Sequence, residues 1–316
     1  ARAEAWSQAS PMVCPPVSVI IVSWNCAALL VQCLASLRAQ SGLGDIELLV
    51  VDNASADDSV DVVRRVWPGA VVIANARNEG FARASNQGLA AATGELLMLL
   101  NPDTLLPRPD TLARVVQRLA DHPEIDMAGV RLVFADGRHQ VGDGGHAPTL
   151  THALVHAFGL SRLGRLKGLF LADARIAPPW GRVGWVCGAF TVVQRTAWEQ
   201  AGGMDESYFL YGEDVEWGCR WGRQGLTVAY LPDIDIVHLQ GGTQRKPGEA
   251  PGTRWIDGLS RLFWTHNQGR GFGLYRWGMA AGFALRAALA WPRDRARARA
   301  MSRFARVFWQ QRSLND

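Results

Sequence analysis

Short apolar runs of strand length alternate with longer stretches of helical spacing through the first 120 residues. That rhythm constrains the fold more than any other feature. Residues 17–23 (VSVIIVS) form a continuous apolar run, as expected of a strand buried on both faces. Residues 25–40 follow, with Leu29, Leu30, Cys33, Leu34 and Leu37 at helical spacing. The pattern then predicts strands at 47–51, 70–74 and 95–100, and helices at 57–66, 82–92 and 109–120. Such alternation means an α/β chain with a mostly parallel sheet and helices on both faces. A further strand is expected at 127–134, after which residues 135–181 show no firm pattern, as befits a lid or binding loop. Order returns with a strand at 183–193, helices at 196–201 and 213–223, and a strand at 227–231. Three last helices are expected at 255–266, 272–291 and 295–309.

Charge divides the chain in two. Residues 1–245 carry 20 basic and 25 acidic side chains, whereas residues 246–316 carry 13 and 4, a balance of +9. The division predicts an N-terminal tail (1–16), an α/β body (17–245, with halves 17–134 and 135–245) and a basic helical extension (246–316) that meets something anionic. The tail lacks the apolar stretch of a signal peptide. Five cysteines without a C-x-x-C pair argue against a disulfide framework or structural zinc and favour a reducing compartment.

In an open parallel sheet, ligands bind beyond the carboxyl ends of the strands. The polar residues there are Ser23 and Asn25, Asp52 and Asn53, Asn78 with Gly80 and Phe81, and Asn101 with Asp103. They are expected to converge on one crevice. The loop after the first strand, Trp24-Asn25-Cys26-Ala27-Ala28, lacks the glycines of a dinucleotide site, and no P-loop is present. A nucleotide would therefore be held by side chains and a metal. Sugar-1-phosphate nucleotidyltransferases share the rhythm but would need a Gly-rich basic loop here.

Asn101-Pro102-Asp103 is either a plain turn or the seat of a hard divalent cation. Glu213 and Asp214 stand at a helix start, where a carboxylate either caps the helix or works as a base. Tyr208, Phe209, Tyr211, Trp217 and Trp221 surround the pair in sequence; Tyr211 and Trp217, with Trp185, suit a sugar or acceptor pocket, although aromatics at i and i+4 are more often core. His238, before Leu239-Gln240-Gly241-Gly242, is a candidate metal or phosphate ligand. His152 and His156 lack a zincin pattern and read as a helix face.

In order, VSVIIVSWN, LLVVDNASADDS, NEGFARASNQG, GELLMLLNPD, GMDESYFLYGEDVEWGCR and HLQGGT resemble the inverting family 2 glycosyltransferases of the GT-A fold, over residues 17–243. Within them the chain looks most like the rhamnosyltransferase-type branch, which extends lipid-linked cell-surface glycans. The resemblance implies that Asp52 pairs with N3–H of uracil or thymine, and that Ser23, Asn25 and Asn53 line the base pocket. It places Asn78, Gly80, Phe81, Asn86 and Asn101 beside the nucleoside and diphosphate. It makes Asp103 the metal carboxylate of the D-x-D motif with His238 nearby, Asp214 the catalytic base and Glu213 its support. Asn101 stands where that motif has its first carboxylate, which implies weaker metal binding. The implied partners are Mg2+ or Mn2+, a dTDP- or UDP-linked sugar donor, and a glycan or polyprenyl-diphosphate-linked acceptor. The implied location is the inner face of the cell membrane. Alternatives are a UDP-hexose donor and a catalytically silent nucleotide-sugar-binding protein.

The run 272–291 is apolar apart from Arg276 and Arg286. Two arginines disfavour a spanning helix, because each is costly near the bilayer centre. An interfacial helix on an anionic membrane is expected instead, with packing on the body or a homodimer contact as the alternative. Nucleic acid is not an expected partner, since no recognised module is present.

Overall fold

The structure is a computed structural model that describes residues 15–163, 166–171, 176–239 and 252–311. Nearly all of the expected tail, the boundary at 245/246 and the glycine pair after His238 lie outside the described residues.

Four strands build the parallel half of the main sheet: β1 (Val17–Ser23), β2 (Ile46–Asp52), β3 (Val71–Ala74) and β4 (Leu96–Leu100), in the order β3-β2-β1-β4. Helices α1 (Ala27–Arg38), α2 (Ser59–Val66) and α3 (Phe81–Ala91) alternate with them. The short β5 (Thr104–Leu105) and helix α4 (Thr111–Asp121) follow. Side chains alternate between the two faces, as strand geometry requires. Val19, Ile21, Leu48, Val50, Met98 and Leu100 enter one core, and Ile20, Leu49, Leu97 and Leu99 enter the other.

The sheet continues through strands the sequence did not order. After β6 (Met127–Val133) come β7 (Gly144–Gly145), α5 (Leu150–Ala157), β8 (Gly181–Arg182), β9 (Trp185–Val186), β10 (Phe190–Gln194), α6 (Arg195–Ala201), α7 (Glu213–Arg223) and β11 (Val228–His238). Strand β10 runs antiparallel to both β4 and β6, so the mostly parallel sheet is mixed at this point. The single strand expected at 183–193 is broken at Cys187-Gly188-Ala189, where the Phe190 N–H turns back to the Cys187 carbonyl. Its first part pairs with β7 in a small second sheet, and its second part joins the main one.

Strand β11 is longer than expected. Pro232 cannot donate to the ladder, and the pairing with β6 shifts register between Leu231 and Asp235 before resuming. The resumed part sets His238 opposite Thr104 of β5.

The last three helices, α8 (Arg254–His266), α9 (Phe272–Ala290) and α10 (Arg295–Gln310), form as expected. With α5 they enclose a third core of Phe263, Tyr275, Met279, Phe283, Phe304 and Phe308. Full burial of one such side chain contributes about 1.5–3 kcal/mol, so this unit is packed onto the body and is no loose appendage. His156 fills the seam between α5 and α9, edge-on to Phe170 and Phe283, and burial drives its pKa down to about 3. The pair His152/His156 is thus a helix face, as read from the sequence.

Candidate active site

The loops after β1 and β2 are laced together by their own side chains. Ala56 N–H donates to Asn25 Oδ1 (2.7 Å), Asn25 N–H to Ser55 Oγ (2.9 Å), and Ala27 N–H to Asp57 Oδ2 (3.0 Å). Asp52, buried at the end of β2, accepts from Ser55 N–H (2.9 Å) and Ser55 Oγ–H (2.6 Å). A carboxylate oxygen has two lone-pair sites, so each oxygen keeps capacity for a ring N–H.

Several expected base and diphosphate residues are instead spent inside the protein. Ser23 is buried with its Oγ 3.3 Å from Cys26 Sγ. Asn53 is buried, donates to the Gly80 carbonyl (3.1 Å) and accepts from Asn75 (2.9 Å). Asn86 clips α3 to the segment before α7, exchanging bonds with both the N–H and carbonyl of Met204 (2.8 and 2.9 Å). Sequence shows a polar side chain after a strand but not the neighbour that consumes it.

Gly80 adopts φ +86, and a Cβ there would meet the Phe209 carbonyl at 2.7 Å. Its N–H is held by Asn78 Oδ1 (2.9 Å), and the Phe81 N–H donates to the Phe209 carbonyl (2.9 Å). The Asn78–Phe81 turn is therefore docked on the loop that opens α7.

Glu213 and Asp214 sit in the first turn of α7, whose N-cap is Gly212 at φ +102. Neither carboxylate is the cap. Asp214 Oδ2 accepts from the Gly188 N–H (3.0 Å) and Oδ1 from the Val215 N–H (2.8 Å). Glu213 is buried, and its Oε2 has no hydrogen-bond partner among the described residues. Burial pushes both pKa values up, with the Asp214 charge as a second cause for Glu213, which reaches about 8. Two N–H donors hold charge on Asp214 while the orphaned oxygen favours a proton on Glu213. Glu216 is no rival base: Arg220 pairs with it at 3.0 Å.

This proton has a consequence for stability. A carboxyl whose pKa is raised by folding stabilises the native state below its unfolded value, near 4.5, and loses that contribution as pH rises towards 8. Glu213→Gln, which keeps the neutral form at every pH, is expected to flatten the fall in Tm between about pH 5 and pH 8. A parallel fall in wild type and variant, followed by scanning calorimetry, would remove the proton from Glu213.

The remaining piece lies across β10. Asn101 N–H donates to the Ala189 carbonyl (2.9 Å), next to the Gly188 that holds Asp214. Buried Asp103 places Oδ1 3.4 Å from His238 Nε2. His238 Nδ1 faces Gln140 Oε1 at 2.5 Å, and the Gln140 amide donates to the His238 carbonyl. An amide oxygen only accepts, so Nδ1 carries a proton, and Nε2, whose lone pair is free in the neutral ring, faces a carboxylate. Two acceptors meeting this way fit a divalent cation between them. No cluster of three protein ligands occurs among the described residues, so water or phosphate oxygens would complete the shell.

Two expected pocket residues are corrected. Trp185 and Trp217 are 3% and 1% exposed and belong to the core. Trp217 donates to the Gly202 carbonyl (2.9 Å) and packs edge-on against Trp221. Aromatics at i, i+4 on α7 are inward-facing, and only Tyr211 and Phe209 of the cluster are exposed. Sequence reasoning missed Gln140 and Gly188. Nothing in the unpatterned stretch 135–181 or in the turn before β10 marks either as a contact of a charged group.

Residues 18–170 match the family model of glycosyl transferase family 2. The chain is 27% identical over 263 residues to the O-antigen biosynthesis protein RfbC of Myxococcus xanthus, covering 81% of this chain but only 20% of that protein. It is 25% identical over 241 residues to the N-acetylglucosaminyl-diphospho-decaprenol L-rhamnosyltransferase of Mycobacterium tuberculosis, covering 70% of this chain and 75% of that one. The mannosyltransferase PcManGT from Pyrobaculum calidifontis, solved with GDP-Man and Mn2+, superposes with a TM-score of 0.59 at 22% identity, over 98% of this chain and 90% of that one. That likeness speaks for the fold: a GT-A sheet with helices on both faces. With this sheet and these motifs, residues 18–170 form a glycosyl transferase family 2 domain.

Proposed function

We propose that the chain transfers L-rhamnose from dTDP-rhamnose, with inversion, to a polyprenyl-diphosphate-linked acceptor during cell-surface polysaccharide synthesis. One observation carries the reaction type. The turn Cys187-Gly188-Ala189 bonds the Asp214 carboxylate through the Gly188 N–H and, through the Ala189 carbonyl, Asn101, two residues before the Asp103 that faces His238. Those are the two ends that an in-line displacement needs. Asp214 takes the proton of the acceptor hydroxyl, and that hydroxyl's oxygen forms the bond to the anomeric carbon. The bond from that carbon to the nucleoside diphosphate breaks on the opposite side, which inverts the centre. Asp103 and His238 would hold a divalent cation, which when bound neutralises charge on the diphosphate. The choice of rhamnose and of a lipid-linked acceptor is supported by the mycobacterial relative's name and by the extent of that match.

The test is incubation of the full chain with polyprenyl-diphospho-N-acetylglucosamine and either dTDP-rhamnose or a UDP-hexose, with the product read by mass spectrometry. A product one deoxyhexose heavier, with release of dTDP, is expected. Product from the UDP-hexose alone would change the donor. No thermal shift with dTDP or UDP, with or without Mn2+, would sink the reading and leave no nucleotide site.

Gln140 fixes the His238 ring, so Gln140→Ala is expected to weaken Mn2+ or Mg2+ activation about 10–100-fold while leaving the protein folded. The check is a metal titration of initial rates. An unchanged half-saturation would detach Gln140 and His238 from the metal.

A further inference from the structure

We infer that the outward face of α9 is a docking surface for an anionic lipid bilayer, with the arginines of α10 as its phosphate contacts. The helices of this extension bury one side in the third core. The other side of α9 presents Leu274, Trp277, Leu285 and Leu289, with Ala281, Ala284 and Ala288 between them, all exposed. Their spacing places them on one stripe of the helix. That stripe has no charged or polar side chain, the reverse of an ordinary solvated face. Leu289, at 65% exposure, is among the most exposed large apolar residues of the chain.

The two arginines that interrupt the apolar run do not break this face. Arg286 turns to the other side, lying over the Phe283 ring and donating to the His156 carbonyl at the end of α5. Arg276 donates to the Gln311 carbonyl. Sequence alone showed no clean segregation of apolar residues. The structure produces it by spending both charges on helix ends next to α9.

Charge complementarity names the occupant. Helix α10 returns beside α9, its end meeting the start of α9 through the Trp277–Trp309 ring contact at 4.1 Å. Its exposed side carries Arg295, Arg299, Arg303 and Arg306 in a row, and Arg295 lies over the Trp291 ring at 5.7 Å. An apolar stripe bordered by a row of arginines, with exposed Trp277, Trp291 and Trp309 at its ends, matches the interfacial layer of a membrane. No helix among the described residues is long and apolar enough to cross a bilayer, so α9 lies on the surface.

The experiment is sedimentation of the full chain with phosphatidylcholine vesicles and with vesicles containing about one third phosphatidylglycerol, at low and high salt. Binding is expected to the anionic vesicles, at least about tenfold tighter than to neutral ones and weakened by salt. The variant Leu285→Glu/Leu289→Glu, placed wholly on the exposed face, should keep its Tm and lose about tenfold or more in vesicle affinity. Arg299→Glu/Arg303→Glu should remove the preference for anionic lipid. Equal binding to both vesicle types, or full binding by both variants, overturns the proposal. So does a stable dimer in sedimentation velocity that Leu285→Glu/Leu289→Glu dissociates, because the face is then covered by a second copy.

Discussion

Asp214→Asn is expected to reduce transfer by at least about 10²-fold, the scale of losing a general base, while dTDP and UDP binding stays within about twofold. The two predictions separate because the Asp214 carboxylate is bonded to the turn at Gly188 and to its own helix, and not to Asp52 or Asn25, the residues proposed for the base pocket. The substitution is close to isosteric but not innocent. Gly188 and Val215 both donate to this carboxylate, one to each oxygen. An amide has only one acceptor, so one N–H faces the amide NH2, at a cost of about 1–3 kcal/mol. A small fall in Tm should accompany the loss of turnover. Glu213→Gln gives the contrast: it mimics the protonated carboxyl that burial favours and should retain most activity near neutral pH. The acid limb of the pH–rate profile should stay in place, because Glu213 already carries its proton where Asp214 titrates. Single-turnover rates and nucleotide titrations decide the matter. Near-normal turnover in Asp214→Asn combined with loss in Glu213→Gln would exchange the two roles.

The half of the fold built from local alternation was legible because both of its signals are local. A continuous apolar run such as 17–23 reads as a doubly buried strand, and the leucines of 29–37 read as a helix face, without reference to distant residues. The antiparallel course of β10 was not legible, since it depends on which strand ends find each other across 60 or more intervening residues. The same division governs the site. The carboxylates of Asp52, Asp103 and Asp214 stand at the element ends where the pattern put them. The tryptophans at 185 and 217 did not stay in a pocket, because pattern cannot tell an aromatic wall from an aromatic core. Gln140 and Gly188 act through a ring nitrogen and a backbone N–H respectively, and neither contact leaves a trace in composition or spacing. The C-terminal extension was half legible: its charge and tryptophans were in the sequence, whereas the bonding of Arg276 and Arg286 to carbonyls at helix ends needed the packing.

Gly258→Val should cost about 10²-fold in turnover, although it lies in the C-terminal extension and not in the catalytic loop. Helix α8 approaches the start of α7 at this glycine. A Cβ there would stand 2.1 Å from the Tyr211 carbonyl oxygen and 3.0 Å from its carbon, both backbone atoms that cannot swing aside. From the other direction, a Cβ at Gly212 would stand 3.2 Å from Gly258. Arg261, one turn on, donates to the Ser207 carbonyl (2.8 Å) and lies over the Tyr208 ring at 4.6 Å. So α8 supports the segment 207–212 that delivers Glu213 and Asp214, and a larger residue must push that segment away. A displacement of about 1 Å at a catalytic group is enough for a loss of this size. Nucleotide affinity should fall less than turnover, because Asp52 and the loops laced to it lie on β1 and β2 and only the Asn78–Phe81 turn rests on Phe209. Circular dichroism and Tm establish that the variant is folded, and Gly258→Ala provides a milder step in the same direction. Turnover that tracks side-chain size while nucleotide binding holds would make the extension part of the catalytic apparatus. Normal turnover in a folded Gly258→Val protein would show instead that the loop tolerates the displacement.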